Sequence, residues 1–495
     1  MLSRRPTERL DPHVKRVATV IVLGMIMSIL DTTIVNVALD SLSRDLHTSL
    51  SNIQWVVSAY LLALAAVIPL SAWAVRRYSA YRVYMQALVL FTLGSALCGL
   101  ATTSGQLIAF RALQGLGGGL LAPAGLTILV NAAGRDNLPR VMSAIGIPMV
   151  LAPVFGPTLG GFLLQSVSWH AIFWVNVPIG IATALVATRL LPRDTGDKAS
   201  AGPLDWPGLL LAGLGTVGIT YGLSQSATAG SFSSMSVVVP VLLGAVLIVA
   251  FVVRSRVISH PLLDLRLYAI RAYSAASVVM FFMGAALFGA MILLPLYFQV
   301  ARGHDAITTG LLLIPQGVGA SIGMNRSAMA THRFGAGLTS LCGVLIMVCA
   351  TIPFLFVGAT TPYALIGTAM VVRGMGVGLA FMPAMTAAFS PLNHDQVNDA
   401  SPQLNVIQRV GGSLGTAIIA VVLQTHLARL PGAGTKHGPT AAAIASSFAQ
   451  TYRWVILMSI VALIPATVLW RVERQLRATG QEAKLSDEAF VEAII

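Results

Sequence analysis

Fourteen apolar stretches recur along the 495-residue chain, each near the length of a membrane-crossing helix, with short polar or Gly/Pro breaks between them. They run roughly over 17–39, 53–74, 82–101, 105–131, 140–165, 169–191, 206–225, 236–253, 273–299, 307–330, 337–357, 361–388, 403–426 and 453–471. A helical crossing takes about 20 apolar residues. In hydrocarbon the backbone must satisfy its own hydrogen bonds, which a helix does. Composition agrees. The chain is 56% hydrophobic and 10% charged, against about 25% charged in soluble domains. That leaves too few polar groups to cover a water-facing surface. The fold class that follows is an all-α membrane protein with about fourteen transmembrane helices and no large soluble domain.

The formal charge of +13 has two readings, a nucleic-acid partner or membrane topology. Distribution decides between them. With the N-terminus inside, 23 of the 31 Lys and Arg residues fall in inside segments, 5 in outside segments and 3 within spans. Basic residues are retained on the cytoplasmic side of short loops, so this bias places both termini in the cytoplasm. It also removes any need for a nucleic-acid partner. The basic stretch Met1 to Arg16 precedes a long apolar run without a small-residue cleavage site, which reads as a retained first span. Cys98, Cys342 and Cys349 lie in apolar stretches and read as buried small hydrophobes.

A weak internal repeat is visible. Arg77 and Arg333 stand at matching places between spans, 256 residues apart (333 − 77). Gly156-Pro157-Thr158-Leu159-Gly160-Gly161 echoes Gly411 to Thr416 at an offset of 255 (411 − 156). These offsets divide the chain into an N-terminal six-helix half over 1–200 and two inserted helices over 201–260. A C-terminal six-helix half with a cytoplasmic tail occupies 261–495. Repeated halves around a central site are the usual build of secondary transporters.

Charges inside hydrocarbon are rare, costly and usually functional. Asp31 lies in the second half of the first span, where a carboxyl is able to take up and release a proton as its surroundings change. The alternative is a structural carboxylate capped by Thr or paired with Arg. Arg111 opens Arg111 to Gly119 near the start of the fourth span. Its five donors require a carboxylate, carbonyls or a wet cavity. It serves either to control the charge at the proton site or to orient helices. Asn36, Gln114, Arg373 and Arg409 are further candidates for cavity or gating roles; Arg373 and Arg409 are also placed to snorkel towards an interface. Gly146, Pro153, Gly156, Pro157, Gly160 and Gly161 make the fifth span a close-packing, kinked helix, suited to an interface that rocks between two states. No Walker sequence is present and no His cluster has metal-ligand spacing. Gly319 to Gly323 matches GxSxG but lies in an apolar span rather than at a strand-to-helix turn. Neither an enzyme, a metal nor a cofactor is expected.

In order and spacing these motifs resemble the fourteen-helix drug:proton antiporters of the major facilitator superfamily, the EmrB/QacA-like branch. Leu30 to Leu39 looks like that branch's first-helix motif. Arg111 to Gly119 is similar to the helix-four motif whose Arg is implicated in proton coupling. Gly146 to Gly161 resembles the antiporter motif, and Trp169 to Gly180 the start of helix six. Asp205 to Gly208 resembles the start of the extra helix pair. Pro261 to Leu265 and Ser401 to Ala417 match later stretches. The loop after span two departs from the pattern: Ala72, Arg76 and Ser79 stand where Gly, Asp and Gly are usual. In the echo after span ten, Ala328 and His332 replace Gly and Asp, while Arg333 is kept. Asp40 replaces a Pro. With Arg76 in place of an acid, the family's cytoplasmic latch is not expected to form in its usual way.

The resemblance implies a proton-coupled antiporter exporting drugs or other amphipathic small molecules across a bacterial cell membrane, the inner one where the host has two. Two alternatives stand beside it: a narrow exporter of one metabolite, antibiotic or siderophore, and a non-transporting scaffold or sensor. With three Arg and one acid assigned to spans, the sequence tilts the cargo towards neutral, zwitterionic or anionic amphiphiles. The outer segment of about 427–452 is the candidate contact for a periplasmic adaptor protein.

Overall fold

The computed structural model describes residues 11–193, 202–430 and 440–478. Among them there is no strand. The helices are α1 (Pro12–Asp45), α2 (Leu50–Ile53), α3 (Trp55–Val67), α4 (Leu70–Tyr78), α5 (Ala80–Gly99), α6 (Ser104–Ser166), α7 (Trp169–Trp174) and α8 (Asn176–Leu190). They continue as α9 (Trp206–Ala229), α10 (Met235–Val257), α11 (Arg271–Leu296), α12 (Ala306–Phe334), α13 (Ala336–Thr351), α14 (Tyr363–Phe389), α15 (His394–Ala428) and α16 (Ala441–Ala478).

Among the described residues, twelve helices are long and apolar enough to cross a membrane; the bent pair α3–α4 makes a thirteenth. That pair turns by 56° at Pro69, whose ring removes a helical hydrogen bond. The expected fifth span lies in the second part of α6. A straight helix of 63 residues would be about 95 Å long, three times a bilayer core. The chain turns instead at Gly134, whose φ of 65° and ψ of 171° only glycine adopts readily.

Two groups of helices pack separately. In the first, α1, α3 and α5 pack on α6, and α8 on α1 and α5. In the second, α11 packs on α15 and α16, and α14 on α12 and α13. They meet where α6 touches α12, α14 and α15, and where α4 touches α15. The hairpin α9–α10 attaches at the edge through α3 and α15. Asp205 caps α9 through the Gly208 N–H at 2.9 Å and pairs with Arg254 of α10 at 2.9 Å, locking the hairpin. Val239, Leu242, Leu243, Val246, Val249 and Val253 leave the outer side of α10 apolar and exposed, as a lipid-facing helix requires.

Three expectations need correction. The α15 helix starts at His394 rather than near 403, because Asn393 and Gln396 form a capping box. This draws Asp399, 7% exposed, into the helix, so Asp31 is not alone among buried intramembrane acids. The α16 helix starts at Ala441, so most of the expected outer segment after 440 is helix; residues 431–439 of that segment lie outside the described residues. Cys98 is buried, but Cys342 and Cys349 are exposed on the outer surface of the helices.

Candidate functional site

Asp31 is fully buried at the meeting of α1, α3, α5, α6 and α8. Arg111 Nη1 donates to its Oδ2 at 2.5 Å. Gln114 Nε2 and Asn176 Nδ2 donate to Oδ1 at 2.9 and 3.0 Å. Arg111 is satisfied in turn: Nε donates to the Val56 carbonyl at 3.0 Å, Nη1 also reaches Gln114 Oε1 at 2.7 Å, and the guanidinium lies 4.1 Å over the Tyr60 ring. Asn176 also donates to Ser95 Oγ at 3.1 Å, and Tyr60 shares a hydrogen bond with Ser28 at 3.0 Å. A buried ion pair is tolerated only with this degree of extra hydrogen bonding. The Asp31–Arg111 pair and its hydrogen bonds thus tie α1, α3, α5, α6 and α8 together. Sequence reading found Asp31, Arg111 and Gln114 but missed Asn176, Ser95 and Tyr60. Asn176 carried a legible signal, an isolated amide in an apolar span.

The second part of α6 wedges between the two helix groups. A methyl added to Gly160 would lie 2.8 Å from Ile34 Cγ1 and 2.9 Å from the Ile34 carbonyl on α1. One on Gly146 would lie 2.6 Å from Met324 Sδ on α12. Gly156 abuts Thr33, while Gly161 is looser, 3.7 Å from Ile307. The side chains of Pro153 and Pro157 lie outside the described residues. The backbone stays helical past them, the break in α6 being at Gly134. Asn36 is exposed and donates to the Thr32 carbonyl at 3.3 Å on its own helix, outside the Asp31 cluster.

On the membrane face where α1 begins, the two groups are bolted together. Arg76 Nη1 donates to both oxygens of Asp399, at 2.7 and 2.6 Å, and Nη2 to the Leu262 carbonyl at 3.3 Å. The Asp264 N–H donates to Asp399 Oδ1 at 3.1 Å. Ser143 on α6 hydrogen-bonds the Met324 carbonyl and Ser327 of α12, and Ser401 donates to the Pro123 carbonyl at 3.2 Å. A link therefore forms at Arg76, where the resemblance put an acid: the cation is on α4 and the acid on α15. His332 and Arg333 are exposed, Arg333 lying 5.2 Å over the Phe334 ring. The acid at this second loop comes from elsewhere. Glu473 of α16 accepts from the Ala336 N–H at 2.8 Å and from the Gly337 N–H, at the N-terminus of α13, where a negative charge is favoured. Arg77 is half-buried beside Arg76.

Between the groups lies a narrow cavity with about 20 Å³ of room for a water-sized solute. Its wall includes five methionines, Met25, Met142, Met280, Met382 and Met385, with Asn405 and Gln408 as its amides. Arg409 follows Gln408 on α15, and its buried Nε has no acceptor among the described residues. Arg373 is 1% exposed, which corrects the expectation that it snorkels. Its Nη1 donates to Gln316 Oε1 at 3.3 Å.

A family model described as "Major Facilitator Superfamily" matches residues 21–416. The chain belongs to the major facilitator superfamily. It is 38% identical over 424 residues to a Mycobacterium tuberculosis protein named "Multidrug resistance protein B homolog", covering 85% of this chain and 78% of that protein. It is 29% identical over 459 residues to an Escherichia coli protein named "Putative multidrug resistance protein MdtD", covering 92% and 93%. Two solved major facilitator structures share the fold, each at a TM-score of 0.61. One is the human organic anion transporter MFSD10, at 14% identity, over 93% of this chain and all of that one. The other is the proton:xylose symporter XylE, at 13% identity, over 91% and 94%. This major facilitator chain is thus a membrane transporter of small molecules, not an enzyme.

Proposed function

We propose that the protein exports amphipathic small molecules, drugs among them, in exchange for protons, by alternating access. The observation that carries this reading is the methionine-walled cavity, whose lining comes from α1 and α6 on one side and α11, α14 and α15 on the other. Methionine adapts its shape to many apolar solutes. Two amides fix orientation without selecting a charge. The halves 1–200 and 261–495 are the rocking bodies, with 201–260 as an edge insertion, in keeping with the separate packing of the two helix groups. The positive-inside bias assigns the bolted face to the cytoplasm of a bacterial inner or cell membrane, which makes this form closed to the cytoplasm.

Asp31 is the proton site. In the form described here it is paired with Arg111 and sealed from solvent. Opening towards the acidic side would admit a proton, release Arg111 and change the balance between the two states. Arg409 beside the cavity favours neutral, zwitterionic or anionic cargo over dications. The reading of similar proteins' names as multidrug resistance proteins agrees with a broad cargo. The test is export of a fluorescent amphiphile into inverted vesicles with an imposed pH gradient. Wild-type protein should concentrate the dye only when the gradient is present. Asp31→Asn should retain dye binding and lose the gradient dependence. Transport by Asp31→Asn that still tracks the gradient would remove Asp31 from the mechanism.

A further inference from the structure

Arg373 is a buried cation whose surroundings offer donors and almost no acceptors. Its Nε and Nη2 are buried without a hydrogen-bond partner among the described residues. The Tyr452 hydroxyl, buried on α16 and neighbouring Arg373, is also without a partner. One neutral oxygen, Gln316 Oε1, serves the whole group. A guanidinium does not shed its charge in a protein, and an unpaired charge in hydrocarbon is not stable. Three unmet donors around one cation call for an acceptor that carries negative charge.

Comparison of the two helix groups sharpens this. On α6, Gly115 and Gly119 rest against the backbones of Tyr60 and Leu64 of α3. On α14, Gly374 and Gly378 rest in the same way against Gln316 and Ala320 of α12. Both pairs give one offset along α6 and α14, 259 residues (374 − 115 and 378 − 119). In that register Arg373 stands where Gln114 stands, and Gln114 is one of the three side chains that grip Asp31. The second half thus has a stronger donor at this position. Yet α11, which packs on its partners as α1 does in the first half, contains no Asp or Glu between Arg271 and Leu296. The first half binds a fixed carboxylate; the second half keeps the grip without the carboxylate.

A crevice opens near the site. It is shallow and is lined by Pro353, Phe354, Val357, Thr361, Ile366 and Ala369 among others. Ala369 is one helical turn from Arg373, and the Phe354 ring stacks on Tyr452 with centroids 4.9 Å apart. At its outer rim a second cation, Arg302, donates to the Thr361 carbonyl at 3.1 Å and lies 4.4 Å over the Tyr363 ring. The local acid there, Asp305, is occupied in capping α12 through the Thr308 N–H. One Arg near the rim of an apolar crevice and one a helical turn beyond its Ala369 wall attract and then hold negative charge.

We propose that Arg373, Gln316 and Tyr452 form a binding site for a small anion, a halide or a free carboxylate group, that enters from the face opposite the Arg76–Asp399 bolt. The bound anion fills the place that Asp31 fills in the first half and holds α12, α14 and α16 together. The site is separate from the methionine-walled cavity and does not depend on proton coupling.

The test is thermal unfolding of the purified full-length protein in lipid nanodiscs. Chloride, bromide and acetate are titrated separately, with ionic strength held by a bulky sulfonate. Above its Kd a bound ligand raises the unfolding midpoint by a constant increment per decade of concentration. Chloride or bromide should give that slope if the site takes a halide, and acetate if it takes a carboxylate. Arg373→Gln should flatten it, and Tyr452→Phe should shift its onset to higher concentration. If Arg373→Gln does not fold, Tyr452→Phe and a bromide anomalous-scattering map of the wild type still decide. The proposal is overturned if none of the three anions gives a slope, if Arg373→Gln keeps it, or if bromide peaks lie only elsewhere. Loss of gradient-driven export in Asp31→Asn leaves all of these readouts unchanged.

Discussion

The ion pair at Arg76 permits a quantitative test of how this transporter closes. Arg76 donates to both Asp399 oxygens within 2.7 Å, with side chains 16% and 10% exposed. A fully buried pair costs about 3–5 kcal/mol when one partner is removed, and an exposed one up to about 1 kcal/mol. With the exposure seen here, Arg76→Ala should disfavour the closed form by about 2–3 kcal/mol, a shift of about 30- to 150-fold in its population ratio. Spin labels at the exposed positions Arg82 and Arg333, in a chain without its three cysteines, report the spacing across this face. Arg76→Ala and Arg76→Asp should both broaden the distances and lengthen them, Arg76→Asp more, because it sets two acids together. The exchange Arg76→Asp with Asp399→Arg should restore much of the closed distance. It should not restore all of it, since the Leu262 carbonyl and the Asp264 N–H would then face the wrong partners. Unchanged distances in Arg76→Ala, or a double exchange no better than Arg76→Asp alone, would refute the argument.

Three further outcomes are expected. Ser79 has φ 94° and ψ 152°, nearly the φ 95° and ψ 159° of Gly335 at the matching place. That region costs a side chain about 1–3 kcal/mol, and Ser→Gly at a cap loses only a few tenths of a kcal/mol, so Ser79→Gly should raise the unfolding temperature. Asn176→Ala removes a charge-assisted hydrogen bond to Asp31 worth about 1.5–3 kcal/mol; thermal unfolding should come earlier, and the pH profile of transport should move, which a purely structural loss would not cause. Glu473→Gln should destabilise by about 0.3–1 kcal/mol through the N-terminus of α13, read as a lower unfolding midpoint with little change in gradient-driven export.

The membrane spans were legible because hydrophobic length is a local property. Asp31, Arg111 and Gln114 were legible because polar groups in apolar runs stand out. Their partner Asn176 sits 145 residues from Asp31, and nothing local announces that contact. Asp399 was misassigned for a different reason. The hydropathy signal begins near 403, while the capping box at Asn393 starts the helix two turns earlier. The resemblance therefore marked Arg76 as a departure from the usual acid, and nothing local pointed to its partner acid 323 residues away. The same limit applies at His332, where Glu473 supplies the negative charge from α16.

The polarity of the bolt also sets a rule of compatibility. A chimaera that joins 1–200 of this chain to a second half with a basic residue at the place of Asp399 would set Arg76 against a like charge. Each half would be sound by itself, and the hybrid would stand open on one side. Arg76 and Asp399 thus work as a two-residue password that neither half displays alone: a change of sign at one place calls for the opposite change at the other.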